Sequence, residues 1–217
     1  MLAVCVIWLF GQGILTANDA INRPSHNEGD YWVFEVKEWD FITSSSNALS
    51  GKYEVIIVSS GKPMVFHISE SGEKSEVSAE IDSLLVMIGE GEYSGGSDKA
   101  LEFPLFPGKK WTFNYQIRRR GERVQRTFHA EIRVVDVENI KTPAGLFQTL
   151  KIVRSDIGGP RIQTYSECFY SPESKSLVKF SFDSSRGSGS GGKRLVELIE
   201  YGHASTEKSR EPINTLR

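Results

Sequence analysis

The sequence is poor in the residues and motifs that mark enzymes, metal sites and disulfide-bonded domains. Its 217 residues include 2 cysteines and 4 histidines. It has no G-x-S-x-G, Walker or H-E-x-x-H motif, so nothing supports the hydrolase, nucleotide-binding and metalloprotease classes that these motifs mark. The histidines are scattered without the spacing of metal ligands: His26, His67, His129 and His203. We predict no catalytic residue, no metal site and no cofactor.

A strong charge of one sign is also absent. The chain has 26 basic and 28 acidic residues and a formal net charge of −2, which excludes a nucleic-acid-binding protein that works by bulk charge. With 39% hydrophobic and 25% charged residues, it has the composition of an ordinary folded protein. A chain of this length buries a sufficient core without disulfides or metals. We therefore expect one globular domain, with two domains as the alternative, and no nucleic-acid partner.

The beginning of the chain indicates export. Residues 2–10 read LAVCVIWLF without a charge, and ILTANDA follows after a Gly-Gln-Gly stretch, which is the pattern of a secretory signal peptide. We predict a signal peptide over residues 1–20, with cleavage after Ala17 or Ala20. The alternative is an uncleaved membrane anchor formed by residues 2–17. The predicted location is the periplasm, the cell envelope or the outside of the cell.

Removal of the signal peptide leaves a single cysteine. Cys5 lies within the predicted signal peptide, so the mature chain keeps Cys168 alone and cannot form an intramolecular disulfide. Nothing in the local sequence YSECFY marks Cys168 as an activated nucleophile. We predict that Cys168 serves as a small apolar residue within a strand.

Hydrophobic residues recur with a period of two along most of the chain, as they do in half-buried antiparallel strands. In the clearest run, residues 124–134, Phe128, Ala130 and Ile132 alternate with polar residues. No segment offers a long amphipathic helix; EIDSLLVMI at 80–88 fits either a short helix or a strand. The predicted fold is all-β: a single antiparallel β-roll or open barrel of about ten strands with little helix. Seven apolar residues are predicted to be buried: Trp32, Phe34, Trp111, Phe113, Phe128, Ile132 and Leu150.

Short segments rich in glycine, proline and serine separate these runs. RGE at 120–122 is predicted to be the tip of a hairpin, and TPAG at 142–145 a tight turn. Such short links favour neighbouring strands in an antiparallel meander. DSSRGSGSGGK at 183–193 is rich in glycine and serine and is predicted to be a flexible loop. Its G-x-G-x-x-G spacing matches a dinucleotide-binding motif, but no helix follows it, so we favour the loop. The predicted domain spans residues 21–203, and residues 204–217 form a polar flexible tail.

Five segments together resemble a family of exported bacterial proteins. They cover most of the mature chain in this order: GDYWVFEV at 29–36, LEFPLFPGKKW at 101–111, ENIKTPAGLFQTLKI at 138–152, YSPESKSLVKF at 170–180 and ELIEY at 197–201. The chain resembles the proteins of unknown function grouped as DUF3108 or DUF3108-like, also called TapB-like. The resemblance implies an antiparallel β-roll or open barrel and supplies no catalytic motif. Such proteins often have glycine in the turn where this chain has Lys175.

The proline and aromatic residues of these segments have a structural interpretation. The prolines of FPLFPG bar a regular ladder and Gly108 permits a turn, so the segment is expected to direct Trp111 into the core at a strand start. The alternative is that Trp111, Tyr170 and Tyr201 line a ligand cleft. Strand aromatics more often pack in the core, so we favour core packing.

Charge is unevenly distributed despite the neutral balance. Residues 109–133 contain eight basic and two acidic residues, whereas residues 69–92 contain seven acidic residues and one lysine. The simpler interpretation is that these are solvated faces that pair with each other across the surface. The functional alternative is an anion-binding cluster at the hairpin end, formed by Arg118, Arg120 and Arg123.

These observations leave three classes of function. The first is an exported, non-catalytic binding module of the envelope or the secreted fraction, whose partner is an anionic envelope lipid or polysaccharide, or an envelope protein. The second is a structural or assembly partner of an envelope complex. The third is a hydrolase with an unrecognised site. We favour the first class, because no residue pattern marks a catalytic group.

Overall fold

The computed structural model describes nine segments of the chain. They are residues 19–40, 50–77, 80–82, 85–87, 91–94, 101–119, 125–158, 162–183 and 192–204. Residues 1–18 of the predicted signal peptide lie outside the described residues, as do most of the predicted tail and the predicted hairpin tip at 120–122.

Strands dominate the described part of the chain. Thirteen are present there: β1 (Tyr31–Asp40), β2 (Gly51–Ile57), β3 (Pro63–Ile68), β4 (Lys74–Val77), β5 (Glu80–Asp82), β6 (Leu85–Met87), β7 (Gly91–Ser94), β8 (Lys110–Arg119), β9 (Arg126–Thr142), β10 (Gly145–Gly158), β11 (Ile162–Ser171), β12 (Ser176–Asp183) and β13 (Gly192–Gly202). Among these described residues, no helix is both long and apolar enough to cross a membrane.

Eleven of the strands form one antiparallel sheet. Their order is β4-β3-β2-β1-β13-β12-β11-β10-β9-β8-β7, so most neighbours are also consecutive in the chain, and β13 returns to pair with β1. β5 and β6 form a separate hairpin, which places strands in the EIDSLLVMI segment. The predicted all-β antiparallel fold is confirmed: β4 and β7 are the edges of one open sheet, with eleven strands where about ten were expected.

The hydrophobic core consists of two clusters that meet at Phe180. The first lies on β8 to β12 and includes Leu101 and Leu105 from the segment before β8. The second joins residues of β1, β2, β3 and β13 to Phe147 of β10 and its neighbours on β11 and β12. All seven residues that the sequence predicts to be buried are buried: Trp32, Phe34, Trp111, Phe113, Phe128, Ile132 and Leu150.

Strands β10 to β12 contribute residues to both core clusters. At the start of β9, by contrast, buried and exposed residues alternate as predicted. Phe128, the third residue of β9, is buried and its neighbours in the strand are exposed. In β10, Leu150 packs in the first cluster and Phe147 in the second. The adjacent residues Cys168 and Phe169 of β11 divide between the clusters in the same way. A strand that is covered on both faces reads as a nearly continuous apolar run, which explains LFQTLKIV in β10.

The two proline-containing segments have the backbone that their sequences predict. Gly145 has a φ of 146° and pairs with Thr142 across the turn between β9 and β10. Gly108 has a φ of 88°, and Trp111, the second residue of β8, is buried. Glycine takes such positive φ values without the steric cost that a Cβ atom imposes. These turns therefore set the register of β10 and direct Trp111 into the core.

The segment before β1 packs against the segment before β8. The N–H groups of Ile21 and Leu105 each donate to the carbonyl oxygen of the other residue, both at 2.8 Å. Arg23 donates to the carbonyl oxygen of Leu101 at 3.3 Å, and its guanidinium carbon lies 5.2 Å from the centre of the Phe103 ring. These contacts attach residues near the predicted mature N-terminus to the first core cluster.

Candidate functional site

The antiparallel topology brings three basic segments of sequence to the same end of the sheet. The β8–β9, β10–β11 and β12–β13 connections all leave from this end, and they follow one another across the sheet. The connections with their flanking strand residues are 118–126, 158–162 and 183–194, and they contain nine basic and two acidic residues. We call these three connections, with the strand ends beside them, the basic end. At the opposite end are the β9–β10 and β11–β12 turns.

The predicted arginine cluster belongs to the basic end, and part of it falls within the described residues. Arg118 lies next to the end of β8 and pairs in register with Glu92 of β7. Arg120 and Arg123 lie outside the described residues. Because β7 is hard to recognise in the sequence, Glu92 was not expected beside Arg118. At the start of β9, the polar residues Gln125, Thr127 and His129 are exposed.

A buried ion pair lies next to the basic end, on the face of β10 that contributes to the first core cluster. The Nε–H of Arg154 donates to both carboxylate oxygens of Asp156, at 2.8 and 3.1 Å. Thr164 donates its hydroxyl to Asp156 at 3.1 Å. The side chains of Arg154 and Asp156 are 11% and 5% exposed, so water screens this pair little. Neither residue belongs to a motif or cluster that the sequence predicts to be functional.

Aromatic rings cover the guanidinium of Arg154. Its central carbon lies 4.9 Å from the centre of the Tyr115 ring and 5.3 Å from that of Phe113. Burial lowers the pKa of Arg154, but Asp156 and a hydrogen bond with Tyr115 outweigh burial, so the pKa is raised. Arg154 is therefore a permanent cation, held in a fixed position by β8, β10 and β11.

A second ion pair lies on the same face of the sheet. Arg194 of β13 bonds to Glu38 of β1, and both side chains are 21% exposed. In register, Arg194 is opposite Phe182, Phe182 is opposite Ser166, and Ser166 is opposite Arg154. Arg154 and both residues of the second ion pair thus lie in one cross-strand row, and Asp156 lies in the next row toward the basic end, opposite Thr164. The next row toward the centre of the sheet is apolar: Val36, Val196, Phe180, Cys168 and Ile152.

Cys168 has the structural environment that its sequence predicts. It is a free thiol, 3% exposed, within β11 and the first core cluster. Burial raises the pKa of Cys168 to about 12, a shift that the nearby Arg154 cation opposes. A thiol with this pKa is almost entirely protonated at neutral pH and is a poor nucleophile.

The opposite end of the sheet contains a buried carboxylate that joins distant parts of the chain. Asp30 is 0% exposed and accepts hydrogen bonds from the N–H of Asn27 at 2.9 Å and the N–H of Ala204 at 2.8 Å. The Nζ of Lys175 lies 3.7 Å from this carboxylate, and the Nδ1 of His203 lies 3.8 Å from it. Asp30 therefore connects the beginning of β1, the β11–β12 turn and the residues after β13.

Aromatic contacts complete this connection. The indole N–H of Trp32 donates to the carbonyl oxygen of Ser174 at 2.7 Å, and the rings of His26 and His203 both pack edgewise on Trp32. The Nδ1 atom of His26 is buried and has no hydrogen-bond partner. Burial lowers the pKa of His26, although Asp30 opposes this shift. We assign a structural role to this group, because each interaction fastens one chain segment to another.

The described histidines and aromatic residues do not form a metal site or a common cleft. No group of three or more histidine, cysteine, aspartate or glutamate side chains that could hold a metal ion occurs in the described segments. Trp111 and Tyr170 belong to the first core cluster. Tyr201 instead packs against the second cluster and donates its hydroxyl to Glu173 at 3.0 Å. The core-packing interpretation is therefore correct for Trp111 and Tyr170.

Comparison with known proteins finds similarity among solved structures only. A protein from Bacteroides fragilis with a YmcC-like fold, inferred to be exported, aligns with a TM-score of 0.43 and 13% identity over 85% of this chain and 100% of its own. A protein from Parabacteroides distasonis, inferred to be a lipoprotein, aligns with a TM-score of 0.44 and 15% identity over the same shares, 85% and 100%. The hypothetical lipoprotein YmcC from Escherichia coli aligns with a TM-score of 0.39 and 8% identity over 82% of this chain and 90% of its own.

The sequence comparisons find nothing. No protein-family model matches the chain, and no curated protein matches it significantly. The resemblance to the DUF3108 family therefore stays a prediction.

Proposed function

We propose that the chain is an exported, non-catalytic binding module of the cell envelope, which binds anionic groups at the basic end of its sheet. The observation that supports this proposal is the presence of nine basic and two acidic residues in the β8–β9, β10–β11 and β12–β13 connections and their flanking residues, which leave from the same end of the sheet in a chain whose net charge is −2. The ligand chemistry is a phosphate or carboxylate group, presented by an envelope lipid or an acidic polysaccharide.

The spacing of the three basic segments allows their charges to act together. Neighbouring strands of a sheet are about 4.8 Å apart, so connections that leave from alternate strand pairs are separated by about 10 Å. The Debye length at physiological ionic strength is about 8 Å, which is comparable with this separation. An anion at the basic end is therefore attracted by more than one segment at once. Arginine adds bidentate hydrogen bonds to phosphate and carboxylate oxygens.

The buried polar groups next to the basic end favour binding over catalysis. The Arg154 cation and the Asp156 carboxylate neutralise each other, and the raised pKa of Cys168 keeps its thiol protonated. Replacing a buried ion pair by apolar residues is often neutral or stabilising, so a gain in stability does not by itself explain why these pairs are present. We infer that these pairs fix the strand ends from which the basic connections leave.

Export is tested by the N-terminus of the mature protein. Cleavage after Ala17 or Ala20 produces a chain that begins at Asn18 or Ile21, and mass spectrometry of protein from the native cell envelope should detect one of these ends. Recovery of the chain with Met1 intact from a soluble cytosolic fraction would contradict export.

Anion binding is tested with vesicles at low and high salt. The mature chain should bind phosphatidylglycerol vesicles in preference to phosphatidylcholine vesicles, and the preference should shrink as salt screens the charges. Replacing Arg118, Arg120 and Arg123 together by serine should reduce binding. A matched control removes three exposed lysines away from the basic end: Lys62, Lys110 and Lys141.

The control variant carries the same change in net charge, so it should bind nearly as well as the unmodified chain. Equal, salt-insensitive binding of both vesicle types would contradict the proposal. So would equal loss of binding in the two triple variants, because only total charge would then matter. Either result would favour the alternative role as an assembly partner of an envelope complex.

A further inference from the structure

We propose that the partner of the basic end is an anionic membrane surface, and that Trp39 and Ile157 enter its headgroup region. This inference rests on the proposed anion binding and adds the source of the anionic groups. It also assigns two residues that neither the charge pattern nor the family resemblance identified.

Trp39 is the exposed tryptophan of the described chain. Its exposed fraction is 48%, whereas Trp32 and Trp111 are 2% and 7% exposed. Trp39 is the second-to-last residue of β1, a strand that ends at the basic end. In register it is opposite Lys193 of β13, which is itself one of the basic residues of that end.

Ile157 is the corresponding residue of β10. It is 49% exposed, and it is the second-to-last residue of its strand. In register it is opposite His129 of β9 and Gln163 of β11, which are both exposed. The register through β13, β12 and β11 places Ile157 on the same face of the sheet as Trp39. Two large apolar side chains are therefore exposed on one face, close to the basic end.

This combination of residues matches the interface of an anionic bilayer. Tryptophan is enriched at the headgroup level of membranes, where its ring is partly in apolar surroundings and its N–H is hydrated. Basic residues near the surface are attracted by anionic lipids, and stable attachment usually needs both kinds of signal. An acidic polysaccharide satisfies the charges but has no apolar layer for Ile157. The sequence after Asp40 supports the membrane, since residues 41–49, FITSSSNAL, carry no charge.

The test measures whether Trp39 reaches the lipid. Vesicles of phosphatidylglycerol with brominated acyl chains quench only tryptophans that lie close to the chains. Trp32 and Trp111 are buried in the protein, so the emission of the mature chain should be quenched through Trp39. We expect strong quenching by brominated phosphatidylglycerol, weak quenching by brominated phosphatidylcholine, and loss of most of the effect in Trp39→Phe.

A pair of substitutions tests the position of the membrane contact. Ile157→Ser should weaken binding to phosphatidylglycerol vesicles by about tenfold. Roughly half of the isoleucine side chain would no longer be buried in the membrane, and the protein would lose one of the two residues that orient it there. Leu146→Ser is the matched control, because Leu146 is 69% exposed and lies near the opposite end of β10. It should leave binding unchanged. An equal effect of both substitutions would overturn the assignment.

Binding to soluble dextran sulfate distinguishes the membrane contact from anion binding in general. If the chain binds dextran sulfate through the arginines but shows no quenching by brominated vesicles, the membrane inference is wrong and the proposed anion binding survives. If it binds neither probe, both are wrong. If it binds vesicles with quenching and both substitutions behave as described, the membrane contact is supported.

Discussion

Substitution of Asp156 provides a sensitive test of the structure, because it leaves the cation of Arg154 buried without its partner. The Nε of Arg154 lies 2.8 Å from Asp156, and the two side chains are 11% and 5% exposed. Removing one partner of such a pair typically costs about 3 to 5 kcal/mol, since the remaining charge stays desolvated. We therefore expect Asp156→Asn to lower the free energy of unfolding by about 3 kcal/mol, which is a large share of the usual 5 to 15 kcal/mol.

A double variant separates the charge from the shape of the site. Arg154→Met removes the cation while keeping a long apolar side chain against Tyr115 and Phe113. If the cost of Asp156→Asn comes from the unpaired charge, the double variant should be more stable than the sum of the two single changes predicts, by at least about 1 kcal/mol.

Urea denaturation followed by circular dichroism measures these differences. At an m-value of about 2 to 3 kcal/mol per M, a loss of 3 kcal/mol lowers the midpoint by about 1 to 1.5 M. The m-value should not change, because the folded state keeps the same surface. Single substitutions that each cost less than about 1 kcal/mol, or a strictly additive double variant, would refute the assignment of a desolvated, coupled ion pair.

Three further predictions concern the core, a turn and the pH dependence of stability. Gly158→Ala should destabilise the protein by about 1 to 3 kcal/mol in urea denaturation, because the new Cβ would lie 2.3 Å from a ring carbon of Phe128; an unchanged midpoint would contradict the packing. Lys175 has a φ of 54°, so Lys175→Ala should be less stable than Lys175→Gly by about 1 kcal/mol, and equal stability would show that the backbone is unstrained. The pKa of His26 is lowered from 6.5, so the unfolded chain takes up the proton first as the pH falls. Stability should therefore decrease below pH 6.5, and His26→Gln should remove that part of the decrease; identical pH profiles of the two proteins would contradict this role.

The fold follows from the sequence because one face of most strands is polar. In β9, exposed residues alternate with Phe128, Ala130 and Ile132, so the period of two identifies both the strand and its buried face. The same rule weakens in β10 to β12, where Phe147 and Leu150 of one strand enter different core clusters. A strand that is covered on both faces loses the polar positions on which the alternation depends.

The site was less predictable because it depends on strand register. Arg154 and Asp156 are two residues apart and share the parity of the buried Ile152, so the sequence did contain a signal for a buried ion pair. To recognise this ion pair, one has to treat the polar residues within an apolar run as core positions. The pairing of Glu92 with Arg118 had no such signal, since the short β7 is separated from β8 by 15 residues.

The turn between β11 and β12 places Lys175 in a backbone conformation that is unusual for lysine. Lys175 has a φ of 54°, a backbone conformation that favours glycine. Lysine tolerates this backbone at some cost, and its ammonium group lies 3.7 Å from the buried carboxylate of Asp30. The interaction connects the turn to the beginning of β1, which sequence reasoning could not foresee because 145 positions separate the two residues.

Hydrogen exchange of the mature chain, with and without phosphatidylglycerol vesicles, locates the surface of the sheet that binds anionic groups. It reports on every described strand end without any substitution. We expect vesicles to slow exchange at the basic end, including the last residues of β8 and the first residues of β13. The β9–β10 and β11–β12 turns at the opposite end should exchange at unchanged rates. Protection confined to those opposite turns, or no protection at either end while the chain remains bound, would contradict anion binding at the basic end.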